Sequence, residues 1–292
     1  MTSTPVTPTA HITIGPRRSP FAASRTALGA LLLRDVVVLK KDAAIFVLRT
    51  IIQPFLLCFV FLFVFPKIGQ SVGGGGGASA QRAFATVLVA GVVGISILFQ
   101  GVQSVALQMS QEFGLTREIE DRVQAPCPIW LVAVEKVVSG ALQGLISATL
   151  VLPIAFFVHA KGVEANISPH WLVVVTLVPL ACIAMGSLGL VLGTSFEPRN
   201  IGLMFGFVIL PITFLGGTYY EWTRLAPVKI GSWHWLQTVV LINPLLYVNE
   251  GMRAAFTNVP HMHLYIVYPV LVGFCVAFLS LGLRNFRRRV LA

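Results

Sequence analysis

Charge is what this sequence has least of. Only 11% of its 292 residues are Asp, Glu, Lys or Arg, against roughly 25% in a soluble domain, and the deficit excludes a water-soluble fold. Chemistry-bearing motifs are missing as well. The dipeptide Gly-Lys never occurs, so there is no phosphate-binding loop, and ATP hydrolysis by that route is excluded. Serine elbows of the GxSxG type and HExxH helices are absent too. The four cysteines, Cys58, Cys127, Cys182 and Cys275, show no CxxC or Cys/His spacing and read as small buried hydrophobes. His261 and His263 read as interfacial residues, not ligands. No catalytic residue, metal site or cofactor is expected of this chain.

Apolar length takes the place of charge. Hydrophobic residues make up 56%, and seven charge-free runs of at least 17 residues (50–66, 83–111, 137–160, 165–196, 200–220, 230–249 and 254–283) hold 173 of the 292 positions. About 20 apolar residues span a bilayer as a helix, and the alternation of a β-barrel is missing, so the fold class is an all-α polytopic membrane protein. Residues 1–23, rich in Thr, Pro and Ser over the first 20, are expected to form a disordered cytoplasmic tail. No cleavable signal peptide is expected, because the first apolar run begins more than 40 residues in. From Ser24 to Asp42, Leu28, Leu31, Leu32, Val36 and Leu39 recur at helical spacing with Arg34 and Lys41 opposite. This predicts an N-terminal interfacial helix, with Asp35 misplaced inside its apolar stripe. The remainder, 24–292, reads as one transmembrane domain.

The positions of the basic residues set the topology. Six precede the first span and four close the chain, which puts both termini in the cytoplasm and demands an even number of crossings. The run 230–249 is the weakest candidate, since it holds Trp233, His234, Trp235, Gln237, Asn243, Pro244 and Asn249. It is assigned to an outer re-entrant hairpin, 218–253. Six spans remain, near 43–66, 83–109, 130–158, 171–194, 200–217 and 262–283. The cytoplasmic segments then carry 13 Lys and Arg and the outer ones six. The net charge of +10 points to membrane lipids as partners and not to nucleic acid. The glycine run Gly73–Gly77 is read as a linker.

Charges inside a membrane helix are costly and therefore informative. Arg49 sits one to two turns into the first span, where it either snorkels to headgroups or pairs with another helix. Glu135 and Lys136, early in the third span, are either interfacial or paired with Arg49 or a neighbour. The segment Gln111 to Pro126 is the most polar internal stretch. As a helix it places Leu115, Ile119 and Val123 on one face and pairs Arg117 with Asp121 and Glu118 with Arg122, until Pro126 and Pro128 end it. A solvated connector and a docking element for a cytoplasmic protein fit it equally.

Two local patterns resemble the permease subunits of type-two ABC exporters, which serve drugs, lipids and polysaccharides. Glu112-Phe113-Gly114, through Glu118, to Ala125-Pro126 is similar to that family's coupling loop. Phe214 to Tyr220, then Trp235-Leu236-Gln237, Asn243-Pro244-Leu245-Leu246-Tyr247 and Glu250-Gly251-Met252-Arg253, resembles its outer hairpin. Leu115 departs from the Thr common after the Gly, and the stretch between Tyr220 and Trp233 is longer than usual.

The resemblance implies an ATP-driven exporter permease that works as a dimer, with itself or a close relative, alongside separately encoded ABC ATPase subunits. Its cargo would be a drug-like, lipid or lipid-linked glycan amphiphile. It also implies site residues: for ATPase coupling Glu112, Gly114, Leu115, Glu118, Ile119, Arg122 and Val123; for the outer gate Tyr219, Tyr220, Trp235, Asn243, Pro244, Glu250 and Arg253. The family's location would be the cell membrane. The rival classes are an intramembrane lipid-modifying enzyme, with Glu221 and His234 as its best pair, and an ion-coupled carrier, disfavoured by the acid-poor interior.

Overall fold

The computed structural model describes residues 20–70, 77–114 and 128–290, leaving aside the side chains of 20–23 and 78. Among the described residues the regular structure is helical, with one isolated β-bridge between Ile230 and Trp233. The expected tail over residues 1–19, all of the glycine run but Gly77, and residues 115–127 lie outside the described residues.

Helix α1 is Pro20–Lys41. Six helices follow that are long and apolar enough to cross a membrane: α2, Ala43–Lys67; α3, Ala78–Gly114; α4, Ile129–Phe157; α5, Trp171–Ser195; α6, Pro198–Leu215; and α9, Leu264–Val290. Between the last two lie the short α7, Trp235–Val240, and α8, Pro244–Phe256. The six spans expected from charge-free runs are the six long helices, and the run 230–249 does not form a seventh. Asn243 and Pro244 divide it: the Asn243 side chain caps α8 by accepting from the Leu245 N–H at 2.9 Å, and proline supplies the first helical residue.

Helix α3 is the axis, lying against α4, α5 and α8, with α2 alongside. Its approach to the others is close because its contact faces carry small residues. Ala85, Ala90, Gly91, Gly94, Gly101 and Ala106 all lie on this helix, and a Cβ built at Gly101 would meet the α5 backbone of Gly186 at 3.2 Å. Helix α9 packs on α5, and α1 runs along the start of α4. Helices α2, α6 and α9 are the least covered spans, and α2 and α6 each carry a π-helical stretch, Phe59–Val64 and Phe205–Ile209. Because consecutive helices alternate in direction, the bundle has two ends. At the near end lie Asp42, Gly114, Ile129, Ser195 and Val290, and at the far end lie α7, α8 and the loop 216–225.

Candidate functional site

Helix α8 is buried along its whole length, from Pro244 to Phe256, although it carries Asn249, Glu250 and Arg253. Such a helix is tolerable only if most of its polar groups are paired, and all but Asn249 Oδ1 and Arg253 Nε are. Arg253 Nη1 donates to Glu250 Oε1 at 2.6 Å, and Nη2 donates to the carbonyls of Gly217 and, at 2.8 Å, Tyr220. Glu250 Oε1 accepts from the Trp222 N–H at 3.1 Å and Oε2 from the Met262 N–H at 2.9 Å. Asn249 donates to Gly216 O at 2.7 Å and Thr218 Oγ1 at 3.0 Å, and Asn243 donates to Ile212 O at 2.7 Å. One helix face thus supplies the hydrogen-bond partners of the loop that leaves α6. The turn depends on Gly217, whose φ of +68° is unfavourable for any residue with a Cβ and presents its carbonyl to Arg253.

The aromatics surround this hub. Tyr219 packs on Phe61 of α2 with ring centres 5.5 Å apart, and Tyr220 Oη donates to Phe214 O at 3.1 Å. Burial pushes both phenols above their ordinary range, so both stay neutral. Trp222 Nε1 donates to Gln237 O at 3.3 Å while Gln237 Nε2 donates to Trp222 O at 3.2 Å, a reciprocal tie between the loop and α7. Trp235 is half-buried at the start of α7.

At the near end a second charged group closes the space between α1, α3 and α4. Lys136, 2% exposed, lies 2.8 Å from Glu112 Oε1 and 3.5 Å from Gln108 Oε1. Glu135, buried beside Lys136 at the start of α4, faces Asp35 of α1. Burial pushes the Asp35 carboxyl up, but its surroundings, Glu135, the Lys136 ammonium, the Ser139 hydroxyl and the Arg34 guanidinium, together outweigh it and hold it below its ordinary value. Arg49 has no ion pair among the described residues and stays exposed. Gly114, at the end of α3, sits so close to Pro198 that a Cβ would meet its ring at 2.7 Å. Arg289 caps the end of α5 by donating to the carbonyls of Gly193, Thr194 and Phe196 at 2.9–3.3 Å, and its guanidinium lies 4.6 Å from the centre of the Phe113 ring.

A polar seam joins the two ends. Ser96, Gln100, Ser104, Gln108 and Glu112 recur every four residues on α3, facing Lys136, Gly140, Gln143 and Ser147 on α4. Gln100 Nε2 donates to Gln143 Oε1 at 3.1 Å, Thr50 of α2 donates to Gln100 Oε1 at 3.2 Å, and Ser147 Oγ donates to Ser96 O at 3.4 Å. Sixteen residues of helix make this seam about 24 Å long.

The family model for the ABC-2 type transporter matches residues 26–257, from α1 through the hub helix α8. The chain belongs to the ABC-2 type transporter family. It is also 28% identical over 234 residues to "Inner membrane transport permease YadH" of Escherichia coli K12, covering 79% of this chain and 84% of that protein, and to the same protein of Shigella flexneri with the same figures. The chain is therefore a multi-pass membrane permease subunit of an ABC transporter. Membership in the family implies a non-enzymatic membrane component that works with an ABC ATPase.

In the ABC-2 permease the structure brings together Tyr219, Tyr220, Asn243, Pro244, Glu250 and Arg253, with Trp235 beside them, at the far end. Glu112, Gly114, Glu135 and Lys136 gather at the near end, where Lys136 pairs with Glu112 of α3 and Glu135 faces Asp35 of α1. Leu115, Glu118, Ile119, Arg122 and Val123 lie outside the described residues. No hydrogen bond joins Glu221 to His234 among the described residues: Glu221 is buried with its Oε1 3.5 Å from Arg224, and His234 is exposed, so the pair needed by a lipid-modifying enzyme is not assembled. Reading charge alone overlooked the seam, whose signal was the four-residue spacing of Ser and Gln inside an apolar run. It also overlooked Arg289, hidden in a basic cluster.

Proposed function

We propose that this ABC-2 permease is an exporter, moving a drug-like, lipid or lipid-linked glycan amphiphile out of the cytoplasm or inner leaflet. Two copies, or one with a close relative, work with two separately encoded ATPases in the cell membrane. Residues 24–292 act as one transmembrane domain, with both termini and the near end cytoplasmic and α1 along the membrane surface. The loop 112–126 receives the ATPase, and the hairpin 218–253, re-entrant from outside, forms the outer gate. One observation carries the reading: the sequence joining α3 to α4 contains this loop, and the buried Lys136–Glu112 pair braces the end of α3 against the first turns of α4. A push on such a loop moves both helices as a body. The uncovered apolar faces of α2 and α6 suit a second copy.

The test is Ile119→Asp, which puts a charge into the ridge of Leu115, Ile119 and Val123. Central interface residues carry most of an affinity, so ATPase binding should weaken by about 2 kcal/mol, roughly thirtyfold. Insertion and dimerisation should persist, with Gln124→Ala as the control. Normal ATPase co-purification and substrate-stimulated hydrolysis would withdraw the coupling role. Topology is checked by impermeant labelling of single cysteines in a cysteine-free background: Ser232→Cys should react in intact cells and Ala292→Cys should not.

A further inference from the structure

A cavity of about 540 Å³ opens at the near end between α1, α2, α3 and α4. Its charged lining comprises Arg34, Asp35, Asp42, Arg49, Glu112 and Lys136, three cations and three anions. Lys136 and Glu112 neutralise each other across 2.8 Å, and Asp35 is balanced by the neighbouring Arg34 charge and the Ser139 hydroxyl. Asp42 and Arg49 are exposed and have no ion-pair partner among the described residues. Both line the cavity; Asp42 is the N-cap of α2 and Arg49 lies seven residues further along, so Arg49 starts about 10 Å further into the bundle than Asp42. Its side chain leaves the helix tilted toward the N-terminus, back toward Asp42, which shortens the gap to the scale of a lipid headgroup. Among the described residues of this lining, the cation without an ion-pair partner is deep and the anion without one is shallow.

That order selects a ligand. In a leaflet facing the near end, a zwitterionic phospholipid carries its phosphate next to the acyl chains and its ammonium toward the water. We propose that this cavity binds the headgroup of a zwitterionic amphiphile of the phosphoethanolamine type, with phosphate on Arg49 and ammonium on Asp42. Val38, Ile45 and Phe46 line the same cavity, and Ile45, Leu48 and Ile52 are exposed on the side of α2, which gives the acyl chains an apolar exit to the bilayer. An anionic headgroup would leave Asp42 without a counter-charge, and a purely cationic one would meet Arg49; both mismatches cost binding. Gln103, also in the lining, adds an amide donor beside the phosphate position. This assignment rests on the permease reading only in placing the near end at the cytoplasmic leaflet.

The test is native mass spectrometry of the purified full-length chain, without ATPase, in detergent holding equal amounts of phosphatidylethanolamine, phosphatidylglycerol and a trimethylammonium lipid with matched chains. Phosphatidylethanolamine should be retained preferentially. Arg49→Gln and, independently, Asp42→Asn should each lower its occupancy about tenfold, the cost of one charge-assisted contact. Both positions are exposed, so thermal unfolding should not change. Equal or greater retention of phosphatidylglycerol, preference for the cationic lipid, or phosphatidylethanolamine retention indifferent to both substitutions would each overturn the assignment. ATPase association and stimulation are measured separately. Their failure would remove the exporter and leave the lipid result standing, whereas normal stimulation without headgroup preference would remove this inference alone.

Discussion

Arg253 and Glu250 lie one turn apart on α8, 2.6 Å between Nη1 and Oε1, and neither side chain is more than 2% exposed. A charged pair so placed is a branching point more than a local tie: through it the helix binds the backbone at 217, 220, 222 and 262. Desolvating two ions costs energy that mutual attraction returns only when the remaining donors and acceptors are used, and here most are.

Arg253→Met leaves Glu250 buried without its cation, so the chain should lose about 3–5 kcal/mol. Glu250→Leu combined with Arg253→Met should lose less than the single change. Thermal unfolding in detergent measures both, and limited proteolysis should cut first between 218 and 243.

Gly94→Ala places a methyl group on Asn249, where a built Cβ falls well inside contact distance, and should unseat α8 from α3 and lower the melting temperature. Gly273→Ala, with nothing within 4 Å, should be neutral or stabilise by up to about 1 kcal/mol. A comparable loss at both sites would refute the close-packing argument.

The depressed pKa of Asp35 gives the seating of α1 a pH dependence of definite sign. A carboxylate favoured in the folded state stabilises it above the ordinary value of 3.8 and loses that contribution as pH falls through its lowered folded value. Hydrogen exchange in α1, corrected for intrinsic rates, should rise on acidification below that range. In Asp35→Asn it should already be raised at neutral pH.

Within the seam, Gln100→Leu and Gln143→Leu each strand a buried amide and should cost about 1 kcal/mol, while the double change should cost less than the sum. Additive losses in unfolding experiments would mean that the two amides do not act on each other.

The long helices were legible because span length and charge exclusion act along the chain, one residue after another. The run 171–194 became α5 with a one-residue change, while 262–283 became α9 extended by seven residues through the basic Arg284–Arg289 stretch. Asn243-Pro244 was legible too, since a cap and a first-turn proline are local chemistry. The hub was half legible: Glu250 and Arg253 stand three residues apart, the spacing of an ion pair on a helix, but their partners at 217, 220 and 262 are set by how the chain returns. Asp35 looked like an error in an apolar stripe until Glu135, a hundred residues later, appeared opposite it. Polar residues facing each other across two helices leave no mark in either helix except their spacing.

Helix α3 has 37 residues and so measures about 55 Å, well beyond the roughly 30 Å of hydrocarbon it has to cross. Its far part is pinned against the hub at Gly91 and Gly94, and its near tip at Gly114 overhangs the bilayer. The stretch between them is about 30–35 Å of unbroken rod. Pivoting this rod through ten degrees about its middle would displace each end by about 3 Å in opposite senses, so a small sideways load outside the membrane arrives undiminished at the opposite face. The same stiffness forbids slack: insertion of a flexible pair of glycines at mid-rod should leave both ends folded and disconnect them.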